Sequence, residues 1–360
     1  MSVSPWNGSR TNHMVVFSGK AGNSRHIAKG IAKSLGLEEA FEVHAEDFAD
    51  SEVYVRLPLE KLKRDLFGAH VIYVQTTVPM ENHHFIEMLL TLDALRQERA
   101  GWIDLVIPYL VHARQDKVFH RGEALSIRAI LRAIKAMRVD RIFTIDVHFW
   151  RKVGRVDFAA TQIGPISIDG SELQMYNLTA THALATYAKE KLGIDRPIVV
   201  IPDKGHRPVA EPVERFFNAS PDDVILFDKV RRRDDVSVSL ASGKSVPDLS
   251  GRQLILFDDM VGTGTTIAKV STWLRSKGGK DITLACTHAI NHKRKAPGEK
   301  EAMSTLERLK RAGVTRIVTT DTIKNKEPIT KHIVPVAPIF ADALQRALQT
   351  PVVKQVTGKP

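Results

Sequence analysis

Strand and helix signals alternate along almost the whole of this 360-residue chain. Short apolar runs are typical of buried strands, and the segments between them carry apolar residues at helical spacing. The predicted strands are Met14–Ser18, Val71–Gln75, Ile103–Pro108, Arg141–Asp146, Pro197–Ile201, Val224–Phe227, Leu254–Phe257, Ile282–Thr287 and Arg316–Thr319, and a last helix is predicted over Pro338–Leu348. The alternation predicts an α/β fold of mainly parallel sheets flanked by helices.

Polar side chains repeatedly follow these predicted strands, where ligands bind in open parallel sheets. The candidates at strand ends are Asp146, His148, Asp203, Asp258, Asp259 and Asp321. A neutral imidazole such as His148 binds a metal or a metal-bound phosphate, although a lone histidine is more often structural. Asp203 suits magnesium, which takes few carboxylates together with phosphate oxygens.

The segment Leu254–Thr266 is the most informative for function. A strand is expected to end in Asp258 and Asp259, followed by a Gly/Thr loop and a helix over about 267–277. The loop residues are Thr263, Gly264, Thr265 and Thr266. Such a turn directs backbone N–H groups and a helix N-terminus at a phosphate, so the carboxylates are left for sugar hydroxyls or magnesium. The loop therefore favours a phosphorylated sugar over an ordinary βα turn, in which buried paired carboxylates would be costly.

Three further segments have both a functional and a plain interpretation. Arg114, Gln115 and Asp116 offer a guanidinium fork, an amide and a carboxylate to a nucleotide, or form a solvated polar loop. The basic run containing Lys229 and Arg231 suits a transferring phosphoryl group, or is simply solvated. Phe48–Arg56 places a ring at Phe48 for stacking on a base and carboxylates at Asp50 and Glu52, or forms a surface hairpin.

The composition limits the kinds of partner that the chain is expected to bind. The net charge of +11 comes from dispersed Lys and Arg, and only 6% of residues are aromatic, so no nucleic-acid partner is expected. No apolar run approaches the roughly 20 residues that cross a membrane. The single Cys286 predicts a reducing, cytoplasmic location.

A short internal echo indicates duplication. The pattern V-x-R-I-x-T-x-D occurs at 139–146 and again at 314–321, each time on a predicted strand. We expect a flexible tail over 1–13, one domain over 14–165 and a second over 166–360. Segments 234–251 and 291–301 are predicted to be surface loops.

Taken in order, these motifs resemble the ribose-phosphate pyrophosphokinases, from about Met14 to Leu348. The matching segments are Phe48–Arg56 (F-x-x-x-E-x-x-V), Pro108–Asp116 (P-Y-x-x-x-A-R-Q-D), Asp146–His148 (D-x-H), Pro202–Gly205 (P-D-x-G), Lys229 with Arg231 (K-x-R) and the loop Asp258–Thr266. The resemblance implies two type I phosphoribosyltransferase-like domains. It also implies that the anomeric hydroxyl of ribose 5-phosphate attacks the β-phosphorus of ATP, giving AMP and phosphoribosyl pyrophosphate.

The resemblance further implies roles for single positions. Arg114, Gln115 and Asp116 would contact ATP, and His148 and Asp203 would serve its magnesium ion. Lys229 and Arg231 would stabilise the transferred group, Asp258 and Asp259 would hold the ribose hydroxyls, and Thr263 to Thr266 would hold the 5-phosphate. Phe48, Asp50 and Glu52 would reach the adenine of a neighbouring subunit, which implies a homo-oligomer, a dimer or larger.

Departures from the family pattern leave two alternatives. Gly262 stands where many members have an acidic residue, Thr265 and Ser51 stand where Gly is usual, and the run 117–126 resembles the archaeal-type variant. A non-catalytic regulatory relative, or a phosphoribosyltransferase that consumes phosphoribosyl pyrophosphate, would share parts of the same loop. Intact Lys229, Arg231, His148 and Asp203 argue against the first, and the full nucleotide set and the two-domain length disfavour the second.

Overall fold

The computed structural model describes residues 13–203, 207–232, 235–240, 246–295 and 301–349. These residues form two compact units: residues 13–178 together with 336–349 make the first unit, and residues 179–335 make the second. Among the described residues, no helix has both the length and the apolar character needed to cross a membrane.

The first unit is built on a seven-stranded sheet. Its strands are β1 (Met14–Ser18), β2 (Ala40–Glu42), β3 (His44–Asp47), β4 (Val53–Arg56), β5 (His70–Val74), β6 (Trp102–Val106), β7 (Arg141–Ile145), β8 (Gly154–Arg155), β9 (Ser167–Ile168), β10 (Ser171–Glu172) and β11 (Gln174–Leu178), and its first three helices are α1 (Ser24–Ser34), α2 (Glu81–Gln97) and α3 (Ser126–Ala136). The sheet order is β2-β1-β5-β6-β7-β11-β8, and only β8 runs antiparallel to its neighbour. Strands β3 with β4, and β9 with β10, form separate hairpins.

The second unit has a sheet of the same size. Its helices are α4 (Thr181–Leu192), α5 (Arg207–Phe217), α6 (Thr265–Ser276) and α7 (Thr305–Arg311), and its strands are β12 (Ile198–Ile201), β13 (Val224–Arg232), β14 (Asp235–Leu240), β15 (Gln253–Val261), β16 (Asp281–Ala289), β17 (Lys293–Arg294), β18 (Met303–Ser304), β19 (Arg316–Thr320) and β20 (His332–Val334). The order is β14-β13-β12-β15-β16-β19-β20, with β14 antiparallel to β13. The expected α/β fold of two mainly parallel sheets is confirmed.

The two sheets repeat one arrangement. The order β2-β1-β5-β6-β7-β11 corresponds strand by strand to β13-β12-β15-β16-β19-β20. The V-x-R-I-x-T-x-D echo falls on β7 and β19, which occupy equivalent places. The sequence echo therefore reflects a repeated structural unit.

The arginine of the repeated pattern makes the same kinds of contact in both units. In the first unit, Arg141 donates through Nε and Nη2 to the two carboxylate oxygens of Asp104, both at 2.7 Å, and through Nη1 to the Ala347 carbonyl at 2.9 Å. In the second unit, Arg316 binds Asp281 and donates to the Leu192 carbonyl at 3.0 Å. Each arginine thus joins a neighbouring strand to the end of a helix, where backbone carbonyls lack helical partners.

The helix α8 (Ala337–Gln349) belongs to the first unit, although it follows the last strand of the second. It packs on α1, and α4 packs on α5 in the second unit. The sequence-based division after residue 165 falls before β11, which pairs with β7 in the first sheet. The same division assigned α8 to the second domain, because a linear pattern does not show which sheet a terminal helix covers.

Two segments differ from the sequence-based expectation. Strand β15 does not end before Asp258 but continues to Val261, because β16 also extends and pairs with it through Met260–His288 and Val261–Ala289. The predicted loop 234–251 contains the strand β14, which pairs with β13 from Phe227–Leu240 to Arg232–Asp235. Both differences come from strand pairing that local composition does not reveal.

Breaking the Asp104 cluster should destabilise the first unit. Asp104 is fully buried and also accepts from Trp102 Nε1 at 2.9 Å. Burial raises its pKa, but hydrogen bonds and charge from His70 and Arg141 outweigh burial, so the pKa lies below its ordinary value. We expect Asp104→Asn to lower the free energy of unfolding at pH 7 by about 3 kcal/mol, because Arg141 loses its buried counter-charge. Urea titration measures this loss.

The matched control is Asp342→Asn, which removes a carboxylate from an exposed pair with Arg346. Its expected effect is below about 0.5 kcal/mol. Since the folded pKa of Asp104 is depressed, its contribution is complete above the unfolded pKa of about 3.9 and is lost as the pH falls through the folded value. A difference between Asp104→Asn and the wild type that did not shrink on acidification would contradict this assignment.

Candidate active site

The carboxyl edge of the second sheet gathers the candidate sugar-phosphate residues. Strand β12 lies beside β15, so Asp203, which follows β12, is at the same edge as Asp258 and Asp259. Asp258 Oδ1 accepts from the Asp259 N–H at 3.0 Å, and Asp259 Oδ1 accepts from the Met260 N–H at 2.8 Å. Asp259 is only 4% exposed. These backbone donors orient both carboxylates and offset part of the cost of burying them.

A buried cysteine lies beside this pair. Cys286 on β16 is the register partner of Asp258 and donates weakly to Thr319 Oγ1 at 3.9 Å. Burial, reinforced by the nearby Asp258 and Asp259 carboxylates, raises the pKa of the thiol to about 12. Cys286 therefore stays protonated and fills the core without acting as a nucleophile.

The loop after β15 turns directly into α6. Gly264 has φ of +75° and caps the helix, and its carbonyl accepts from the Ala268 N–H at 2.8 Å. The hydroxyls of Thr263 and Thr265 lie 3.0 Å apart at the mouth of the loop. Thr266 follows in the first helical turn, so the helix starts two residues earlier than predicted. A strand, a glycine turn and a helix N-terminus are together suited to binding a phosphate.

Helix α7, which the sequence analysis did not predict, contacts this loop. Thr305 Oγ1 donates to the Gly262 carbonyl at 2.6 Å, and Arg308 Nη1 donates to the Thr263 carbonyl. A capping box formed by Ser304 and Glu307 starts the helix. The S-x-x-E spacing at 304–307 was the available sequence signal.

A chain of hydroxyls joins the ends of β16 and β19 at the same edge. Thr320 Oγ1 donates to the Thr287 carbonyl at 2.6 Å, and Thr322 Oγ1 lies 2.9 Å from Nδ1 of His288. All of these side chains, and Asp321 between them, are buried. Of this group, the sequence analysis identified only Asp321.

The basic residues proposed for catalysis lie on the hairpin of the same unit. Lys229 and Arg231 belong to β13, opposite Val238 and Val236 of β14. They are therefore in a strand, where the sequence analysis expected a loop. Their side chains, like Lys204 and Gly205 of the P-D-x-G motif, lie outside the residues that the structure describes.

The carboxyl edge of the first sheet carries the nucleotide candidates. Arg114, Gln115 and Asp116 follow β6, and Asp146 and His148 follow the neighbouring strand β7. Arg114 is exposed, whereas Gln115 and Asp116 are half-buried. The two motifs predicted to bind one nucleotide therefore follow adjacent strands of the same sheet.

A buried amide fixes the turn that carries His148. Asn177 on β11 accepts from the Val147 N–H at 2.9 Å and donates to the Trp150 and Lys152 carbonyls, both at 3.0 Å. Asn177 is 3% exposed. The sequence analysis missed it because an asparagine within a strand has no motif that marks it as a loop support.

The segment Phe48–Arg56 forms the turn and the second strand of the hairpin β3–β4. Phe48 is 55% exposed and makes an edge contact with Tyr54 at 5.6 Å between ring centroids. Asp50 Oδ1 accepts from the Glu52 N–H at 3.3 Å. Ser51 has φ of +71°, which explains why glycine would suit this position.

No group of three or more His, Cys, Asp or Glu side chains is arranged to hold a metal ion within the described parts of the chain. Magnesium does not need such a cage, because it commonly binds through one or two carboxylates plus substrate phosphates and water. The donor set at the second edge, with single carboxylates beside a phosphate-type loop, fits that mode of binding.

Comparison with known proteins agrees with this architecture. Residues 14–137 match the N-terminal domain of ribose phosphate pyrophosphokinase, and residues 174–315 match the phosphoribosyl transferase domain. The first match includes strands β1 to β6 and the Arg114–Asp116 motif, and the second includes strands β11 to β18 and the Gly/Thr loop. Both units are thus of the phosphoribosyltransferase type.

Relatives that align with almost the whole chain indicate the family more closely. A ribose-phosphate pyrophosphokinase of Methanosarcina mazei is 32% identical, over 89% of this chain and 92% of the relative. One of Corynebacterium efficiens is 29% identical, over 94% and 95%. The crystal structure of phosphoribosylpyrophosphate synthetase from Mycobacterium smegmatis aligns with a TM-score of 0.72 at 26% identity, over 94% of this chain and 99% of that one. The chain belongs to the ribose-phosphate pyrophosphokinase family.

The loop conformation predicts a difference between two glycines. We expect Gly264→Ala to lower the melting temperature more than Gly193→Ala. Both glycines have φ near +70°, so alanine at either position incurs the left-handed penalty of about 1–2 kcal/mol. Only a Cβ at Gly264 would also press on a neighbour, Thr305 Cγ2 at 3.2 Å, whereas a Cβ at Gly193 has open space. Thermal unfolding of the two variants measures the difference, and equal shifts would show that the loop accommodates the methyl group.

Proposed function

We propose which residues of this chain bind each substrate and which act on the transferred group. The enzyme transfers the diphosphoryl group of ATP to the anomeric hydroxyl of ribose 5-phosphate, producing AMP and phosphoribosyl pyrophosphate for nucleotide biosynthesis. The observation that carries the assignment is the β15–loop–α6 turn, with two carboxylates before a glycine-capped helix N-terminus.

The second unit is proposed to bind ribose 5-phosphate. The N–H groups and hydroxyls of Thr263, Gly264, Thr265 and Thr266 hold the 5-phosphate at the N-terminus of α6. Asp258 and Asp259, whose carboxylates are oriented by backbone donors, accept from the ribose hydroxyls. This division keeps the carboxylates away from the phosphate dianion, which they would repel.

The nucleotide roles are proposed from the family motifs. Arg114 neutralises the triphosphate through its guanidinium fork, and Gln115 and Asp116 complete the contact with ATP. His148 and Asp203 are each proposed to serve the magnesium ion that accompanies ATP. When bound, that ion screens the phosphate charge and so makes the phosphorus a better electrophile.

Lys229 and Arg231 are proposed to stabilise negative charge on the transferred group. The two residues lie two positions apart on β13. Cations that act on charge developing in the transition state contribute to turnover more than to substrate binding.

Phe48, Asp50 and Glu52 are proposed to contact the adenine of a neighbouring subunit. The exposed ring of Phe48 is available for stacking on a base, and both carboxylates are exposed on the same hairpin. This role requires a homo-oligomer of at least two chains. A cytoplasmic location, as expected from the single cysteine, is part of the same proposal.

The comparisons do not favour the two alternatives. The curated relatives over almost the whole chain are named as synthetases.

Asp258→Asn should weaken binding of ribose 5-phosphate by about tenfold or more. The substitution keeps the shape of the side chain but removes the charge that strengthens its hydrogen bonds to hydroxyls. Isothermal titration with ribose 5-phosphate measures the affinity, with the exposed Asp222→Asn as control. Unchanged affinity in Asp258→Asn would remove this residue from the sugar site.

Lys229→Ala should lower kcat by a factor of about 100 or more while both KM values change little, as expected for charge stabilised mainly in the transition state. Chromatography of AMP and phosphoribosyl pyrophosphate, formed from ATP, magnesium and ribose 5-phosphate, follows the reaction. The exposed Lys280→Ala is the control. A large rise in KM at unchanged kcat would instead assign Lys229 to substrate binding.

A further inference from the structure

Two side chains of helix α7 bind successive backbone carbonyl groups of the Gly/Thr loop. Thr305 Oγ1 donates to the Gly262 carbonyl at 2.6 Å, and Arg308 Nη1 donates to the Thr263 carbonyl. Thr305 is 0% exposed and Arg308 is 5% exposed, so both donors are buried. Neither residue belongs to a motif that the sequence analysis assigned to a ligand.

The direction of each carbonyl fixes the direction of the next N–H group. A trans peptide is planar, and its C=O and N–H bonds point to opposite sides. The one cis peptide among the described residues is Val78–Pro79, far along the chain from this loop. Since the Gly262 and Thr263 carbonyls point at α7, the N–H groups of Thr263 and Gly264 point away from it. Successive N–H groups on one side of a turn form a concave anion site, here beside the N-terminus of α6.

Arg308 also connects the loop to strand β17. Its Nη2 donates to the Arg294 carbonyl in β17 at 2.9 Å. A guanidinium is planar, permanently charged and has donors in fixed directions, so one side chain can span two carbonyls. The compact lysine ammonium lacks this fork. The Arg294 carbonyl thus supplies a second anchor for the arginine that supports the loop.

Resting on the assignment of this loop to ribose 5-phosphate, we propose that Thr305 and Arg308 are positioning residues for the 5-phosphate. They act through the backbone, by orienting the N–H groups of Thr263 and Gly264 toward the phosphate. The 5-phosphate does not react, so the enzyme binds it equally in the ground and transition states. Loss of its positioning therefore raises KM for ribose 5-phosphate and leaves kcat nearly unchanged.

The test compares Thr305→Val, Arg308→Lys and Arg308→Met with the wild type. Phosphoribosyl pyrophosphate formation is followed with ribose 5-phosphate varied at saturating Mg-ATP, and then with Mg-ATP varied. We expect KM for ribose 5-phosphate to rise about fivefold in Thr305→Val and more than about tenfold in Arg308→Met, with a smaller rise in Arg308→Lys, which keeps the charge. KM for Mg-ATP should stay at its wild-type value in all three.

Two variants at the amino edge of the same sheet serve as matched controls. Thr330→Val removes a hydroxyl that donates to the Ile317 carbonyl at 2.7 Å. Arg316→Met removes an arginine that donates to the Leu192 carbonyl at 3.0 Å. Each loses a side-chain bond to a backbone carbonyl, as its counterpart does, and Arg316→Met also breaks the ion pair with Asp281. We expect wild-type KM values from both.

Two results would overturn the proposal: an unchanged KM for ribose 5-phosphate in Thr305→Val and Arg308→Met, or an equal rise in the two controls. Thr305→Val is nearly isosteric and keeps the test decisive if Arg308→Met does not fold. Failure of the wild type to form phosphoribosyl pyrophosphate would contradict the proposed function instead. Calorimetric affinity for ribose 5-phosphate then replaces KM, and equal affinities in all variants would overturn the positioning role alone.

Discussion

An arginine at the first position of one strand organises each half of this enzyme. Arg141 and Arg316 each neutralise a carboxylate on a neighbouring strand and close the last turn of a helix. Both contacts lie at the amino edge of their sheets. The carboxylates, hydroxyls and glycine turn of the candidate site lie instead at the carboxyl edge, where ligands bind in open parallel sheets. The division of stability and chemistry between opposite edges is the same in both units.

The sequence predicted the fold well wherever local pattern and tertiary pairing agree. Strand β1 was predicted to the residue, and β7 to within one residue. The pattern failed at Asp258 and Asp259, since carboxylates are poor strand residues, yet β16 pairs with the chain as far as Val261. It failed again at β14, where an irregular composition concealed a hairpin partner for β13.

Some residues of the candidate site could likewise be proposed from the sequence, and others could not. Residues with distinctive chemistry, such as Asp258 or Arg114, could be proposed from the sequence because their types and spacing suit a reaction. Asn177, Thr305 and Arg308 could not be, since they bind backbone groups of the loops in front of them. A backbone carbonyl is present at every residue, so no sequence motif records which side chain binds it. The capping box at Ser304 indicated a helix but not what that helix supports.

The placement of α8 has a consequence for how the chain folds as it is synthesised. Ribosomes deliver the first sheet early, and N-terminal domains generally fold first. Here the Arg141 side chain finds one of its acceptors only at Ala347, and α1 finds the helix that covers it only in α8. The nascent first unit must therefore wait, with part of its apolar surface uncovered, until the second unit has been translated. The final order of completion is the reverse of the order of synthesis.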